Sequence, residues 1–148
     1  MSIANQFSSN WPLRPEEVES GVPFVMVVEA PHGEFECEIV ASDSMSAAVQ
    51  GIRFSSERLA DSSVDRLRGI GNALSARLNY LLEPIAEIEL DLEHLSLQLR
   101  SVPPYKDEDG RSYYEMIVRP GGDISLSRYR KSTGRPRSAI PAMLTREV

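Results

Sequence analysis

Residues 86–99 read AEIELDLEHLSLQL, an alternation of apolar and polar side chains broken once, at Leu92-Glu93-His94. Alternation with period two marks a strand with one buried face, and a phase break inside it marks a turn. Folding the segment at the break pairs Leu90 with Leu95, Ile88 with Leu97 and Ala86 with Leu99. One face of that hairpin is apolar, while Glu87, Glu89, Ser96 and Gln98 fall on the other. The rest of the chain must then cover an apolar sheet face.

Two further hairpins follow from the same pattern. In PFVMVVEAPHGEFECEIV, a turn at Pro31-His32-Gly33 sets Phe24, Met26 and Val28 beside Ile39, Cys37 and Phe35. Glu34, Glu36 and Glu38 then face outward. Near the other end, SYYEMIV and ISLSRYR flank Pro120-Gly121-Gly122-Asp123. A two-residue Gly-Gly turn supplies the positive φ angles that hairpins favour. It would place Glu115 opposite Arg128, Tyr114 opposite Tyr129 and Ile117 opposite Leu126. The weak alternation of Ala48, Gln50, Ile52 and Phe54 reads as a third strand within 45–55, interrupted by Gly51. Residues 103–110, PPYKDEDG, read as a polar loop.

The helical pattern is concentrated at 62–82. Val64, Leu67, Ile70, Leu74, Leu78 and Leu81 follow the three-and-four spacing of one buried face, Ser62 and Asp65 stand at capping-box spacing, and Pro84 ends the run. Gly69-Ile70-Gly71 lies inside it, and residues 64–78 resemble the signature of helix-hairpin-helix DNA-binding modules, which expose backbone amides to a phosphate. The alternative is a continuous helix whose small residues let it cross the sheet closely. It is preferred because Ser75 departs from the usual alanine, lysines are missing after the second glycine, and the body is acidic.

These elements predict a two-layer α+β fold, an antiparallel sheet of hairpins and meander packed by one long central helix. The order resembles that of the small acidic type III secretion chaperones, and the resemblance implies a chaperone-like role. Residues 1–14 are expected to form a loose N-terminal arm, with a short helix at 15–21 opening a single domain that runs to 132. Residues 133–148 are expected to be a basic tail too rich in proline to continue the sheet.

Charge is distributed unevenly. Residues 1–110 hold 8 Arg/Lys against 19 Asp/Glu, a balance of -11, whereas residues 111–148 hold 8 against 3, a balance of +5. The basic end can engage the acidic body of its own chain, a second copy, or a foreign partner. Tyr113, Tyr114, Arg128, Tyr129, Arg130, Lys131, Arg135 and Arg137 are the candidate partner-binding residues. Tyr and Arg anchor protein interfaces, and the same mixture suits single-stranded nucleic acid. A plain charged strand edge is the third reading. The apolar stretch 139–144 is a further candidate ligand for a partner's groove.

Catalytic patterns are scarce. His32 and His94 fall in predicted turns, Cys37 lies on the apolar face, and no nucleophile elbow, phosphate loop or zinc cluster is present. Glu29, Glu34, Glu36 and Glu38 line a strand face rather than converge on a metal, and Asp107-Glu108-Asp109-Gly110 reads as a turn. With no apolar run of membrane length, no secretory signal and a single cysteine, the chain is expected to be cytoplasmic. The function expected is a non-catalytic protein-binding or adaptor module, dimeric, without cofactor or metal. Nucleic-acid binding and carriage of a small molecule between helix and sheet are the alternatives.

Overall fold

In the computed structural model, which describes residues 24–30, 33–42, 46–57, 63–77, 83–120 and 123–145, the first hairpin has the expected register. Strands β1 (Phe24–Ala30) and β2 (Gly33–Ser42) place Phe24 opposite Ile39, Met26 opposite Cys37 and Val28 opposite Phe35. Val28, Cys37 and Ile39 are buried, and the glutamates face outward. Strand β3 (Ser46–Ser55) adds along β2, so the described part of the 45–55 segment is the expected third strand. The proposed arm and the short helix at 15–21 lie outside the described residues.

Among the described residues one helix follows, α1 (Val64–Arg77). Ser63 caps it, its Oγ accepting the Arg66 N–H at 3.3 Å. Ser62, Leu78 and Leu81, all assigned to the helix from sequence, lie outside the described residues. Both glycines sit within unbroken helix, so the turn that a helix-hairpin-helix requires is not formed. Gly71 is where the helix meets the sheet: a Cβ there would stand 2.8 Å from Leu97 Cδ2 and 3.3 Å from both Leu99 methyls. Gly69 has open space around it.

The remaining strands are β4 (Ile85–Asp91), β5 (Ser96–Ser101), β6 (Tyr105–Lys106), β7 (Gly110–Arg119), β8 (Asp123–Ser132), β9 (Ser138–Ile140) and β10 (Ala142–Thr145). They join the first three in one antiparallel sheet of order β1-β2-β3-β8-β7-β5-β4. Two inner-face rows run across it: Val28, Phe35, Phe54, Ile124, Val118, Leu97, and Met26, Cys37, Ile52, Leu126, Met116, Leu99. Helix α1 packs on the β4, β5 and β7 part of this face, where Leu67 joins Leu97, Leu99, Met116 and Val118 in a buried cluster.

The expected α+β architecture with a long central helix is therefore overturned. Of the described residues 65% are strand and 14% helical, so the fold is β-rich with one short helix. The physical reason is length. A 14-residue helix spans only about 21 Å at 1.5 Å per residue, less than the width of seven strands spaced about 4.8 Å apart.

The expectation that 133–148 cannot continue the sheet is also corrected. Strands β3 and β8 pair only between 51–55 and 123–127, and beyond Gly51 and Ser127 the two separate. Into that fork the chain runs back along β8 as β9, reverses at Pro141, and returns along β3 as β10. Pro136 and Pro141 lie outside both strands, so neither removes a ladder hydrogen bond.

Two registers differ from expectation. The β7–β8 hairpin closes over 120–122, with Arg119 opposite Asp123, so every pair slips by one residue. Tyr113 now faces Tyr129, Tyr114 faces Arg128 and Met116 faces Leu126. The β4–β5 hairpin closes over 92–95, pairs Leu90 with Leu97, and changes register at Ile88, between Glu87 and Glu89. Ile88 is 49% exposed and Ala86 is exposed too, while Ile85, Leu97 and Leu99 are buried. Glu87 moves to the helix side, where Arg68 donates to its Oε1 at 3.0 and 3.1 Å. The 103–110 loop is shorter than expected, because Tyr105 and Lys106 pair with Ser112 and Arg111.

Candidate docking surface and the arginine ties beneath it

Of the eight candidate partner-binding residues, the six on β7 and β8 divide between two faces. Residue parity in β7 and β8 puts Tyr113, Tyr129 and Lys131 on the outward face and Tyr114, Arg128 and Arg130 on the helix side. Tyr113 and Tyr114 are buried, at 5% and 6% exposure, so neither offers a ring to an incoming base.

Most of the cations are committed within the chain. Arg128 Nη1 donates to Glu83 Oε2 at 2.8 Å, and its guanidinium lies 4.5 Å from the Tyr114 ring centroid. Burial pushes the Tyr114 phenol up, with Arg128 opposing. Arg130 grips Asp107 through two hydrogen bonds of 2.9 Å. Chiefly for that reason, helped by the amides of Asp109 and Gly110, the Asp107 carboxyl is held down at about 2. Lys131 donates to the Arg135 carbonyl, and Arg135 is exposed.

Arg137 completes a cluster on the outward face that sequence reasoning missed. Glu115, 4% exposed, accepts from Gln98 Nε2 at 2.8 Å, Arg100 Nη2 at 3.0 Å and Arg137 Nη1 at 2.7 Å, all at Oε2. Arg100 lies 4.7 Å from the Tyr113 centroid and Arg137 lies 4.0 Å from that of Tyr129. Burial alone would raise the Glu115 carboxyl, yet the three donors hold it below the usual value. Glu83 and Asp107 are carboxylate partners that the sequence reading did not pair with these cations, and Glu115, expected opposite Arg128, meets Arg100 and Arg137 instead. One signal was present: a lone carboxylate between Tyr114 and Met116 in an apolar strand needs buried donors.

The outward face of the β1–β2 ribbon is open and partly apolar. Val25 and Val27 are 60% and 50% exposed, opposite Glu38 and Glu36, with Glu29 facing Glu34 beside them. Among the described residues β1 is the last strand on its side of the sheet. The carboxylates alternate along two neighbouring strands, as the sequence predicts, and flank an apolar strip.

Other candidates occupy structural places. His94 Nδ1 lies 2.9 Å from Asp91 Oδ2 in the β4–β5 turn. The Cys37 thiol is buried and raised to about 11, which leaves it protonated and inert at neutral pH. At the fork, the space lined by Val49, Tyr114, Leu126 and Leu144 is about 10 Å³, smaller than a small-molecule cargo needs. No helix among the described residues is long and apolar enough to cross a membrane. Compared with protein-family models, curated proteins and solved structures, the chain matches none.

Proposed function

We propose that the protein is a non-catalytic binding module whose working surface is the outward face of the β1–β2 ribbon, and that its partner is a basic, partly apolar extended segment of another protein. The carrying observation is the exposure of Val25 and Val27 between Glu29, Glu34, Glu36 and Glu38. Exposed valines on β1, the last strand on its side among the described residues, offer contact area and a strand along which an extended segment can add. The surrounding carboxylates favour a cationic partner and steer its approach. A second copy docked ribbon to ribbon would set carboxylate against carboxylate, which argues for a foreign segment.

Nucleic-acid binding is the weaker reading. Arg128, Arg130 and Arg137 are each tied to a carboxylate of this chain, and releasing them to phosphates would strand those acids. The test is fluorescence anisotropy with a labelled peptide of alternating Lys and Leu, against a Glu/Leu peptide of the same length. Saturable binding of the basic peptide is expected, weakened about tenfold by Val25→Ser with Val27→Ser and by raised salt. Equal binding of both peptides, or none at low salt, overturns the reading. Light scattering alongside reports whether the chain self-associates instead.

A further inference from the structure

At the end of the sheet away from the β7–β8 turn, three cations stand side by side. Lys106 of β6 is directly opposite Arg111 of β7, and Arg111 is directly opposite Lys131 of β8. Cross-strand partners share a face with Cβ atoms about 5 Å apart, and like charges placed so are destabilising. Lys106 and Lys131 are the chain's two lysines. Among the described residues neither Lys106 nor Arg111 has an ion-pair partner, and Lys131 spends one donor on the Arg135 carbonyl.

The row lies along a shallow, largely open depression rather than in an enclosed cavity. It lines an open cleft of about 340 Å³ between the 107–110 turn and the turn at Thr133 and Gly134. Both walls are fixed. The Asp107 amide donates to the Gly110 carbonyl at 3.0 Å, and the Thr133 amide donates to the Asp109 carbonyl at 3.1 Å. Gly110 forms the floor, where a Cβ would stand 2.3 Å from the Lys131 carbonyl oxygen, so only glycine lets the strands close there. Asp107 also lines the cleft, but its carboxylate is engaged by Arg130 and by the amides of Asp109 and Gly110. Glu108 and Asp109 are exposed on the same turn and lie outside the lining.

We infer that this cleft is a binding site for a small polyphosphate-bearing ligand, held by Lys106, Arg111 and Lys131. The volume suits a small ligand, and three unneutralised cations match the charge of a phosphate chain. Arg111 supplies a planar fork for two phosphate oxygens, and the lysines supply point charges on either side. The site is independent of the β1–β2 ribbon, so its failure would leave the proposed protein contact untouched.

The test is isothermal titration of the full chain with inorganic tripolyphosphate at low ionic strength, with citrate as a carboxylate control. One saturable site is expected, with Lys106→Gln and Arg111→Gln each weakening it about tenfold. Arg119→Gln, at the opposite end of the same strand and paired with Asp123, should bind like the parent. Tripolyphosphate should also raise the melting temperature of the parent, and by clearly less that of Arg111→Gln at the same concentration. Absence of saturable binding, equal binding of citrate, or equal weakening by Arg119→Gln would overturn the assignment.

Discussion

Arg137 Nη1 lies 2.7 Å from Glu115 Oε2, although β8 separates the two segments in sequence and in the sheet. The contact ties the chain between β8 and β9 to the middle of β7, just before the strands that fill the fork. The charge asymmetry of the sequence is thus partly consumed in cis, at Glu83, Asp107 and Glu115. It is a bracing device before it is a recognition device.

The two ends of this contact should be unequal. Glu115→Ala leaves Arg100 and Arg137 beside each other with no acid, and losing one partner of a buried set costs about 3–5 kcal/mol. Arg137→Ala leaves Glu115 with Gln98 and Arg100 and removes a side chain 42% exposed, so the loss should be about 1 kcal/mol. Urea unfolding measures both. Equal losses would mean that the tail arginine alone holds the carboxylate in place.

Acid should act on the same ties. The Glu115 carboxyl titrates below its usual 4.5, and Asp107 at about 2 rather than 3.8. A depressed folded pKa contributes stability that is complete above the unfolded value and disappears as pH falls through the folded one. Stability should hold above about pH 5, then fall, Glu115 contributing to the loss below its usual 4.5 and Asp107 between 3.8 and about 2. Glu115→Gln should flatten the first part of that fall, read as unfolding midpoints in urea at stepped pH. An unchanged profile would show that the carboxylate is not held down.

The two helix glycines separate propensity from packing. Gly69→Ala meets nothing within 4 Å and should stabilise by about 1 kcal/mol. Gly71→Ala gains the same propensity, but its methyl must displace Leu97 and Leu99, at a cost of about 1–3 kcal/mol. The net should be a loss of up to about 2 kcal/mol. Melting temperatures that rise alike would place the helix farther from β5 than the geometry here.

How much was legible depended on how local each signal was. The β1–β2 register could be read outright, because an unbroken alternation meets a two-residue loop at 31–32. The β7–β8 pairing was read with the wrong register, because Gly121-Gly122 suggests a two-residue turn while the strands close over three residues. That single slip gave Tyr129 to Tyr114 rather than Tyr113 and hid the face on which Glu115 sits. The fork was illegible, since β9 and β10 are short strands specified by partners far away in sequence. The same holds for Gln98 and Arg100, whose meeting with Arg137 at Glu115 depends on β5 lying beside β7 and on the post-β8 segment reaching across β8.

The β4–β5 hairpin allows the sharpest check of register. The alternation of 86–99 makes Ile88 a core residue facing Leu97, in which case truncation would cost several kcal/mol. In the fold Ile88 sits at the register shift, 49% exposed, while Leu97 is 1% exposed and touches the position of Gly71. Ile88→Thr should therefore change stability by less than about 0.5 kcal/mol, and Leu97→Ala should cost about 2–5 kcal/mol. Guanidinium unfolding of the two variants decides between the registers. Comparable losses would return Ile88 to the interior and remove the bulge; a large difference fixes the strand as described and accounts for Glu87 reaching Arg68 on the helix side.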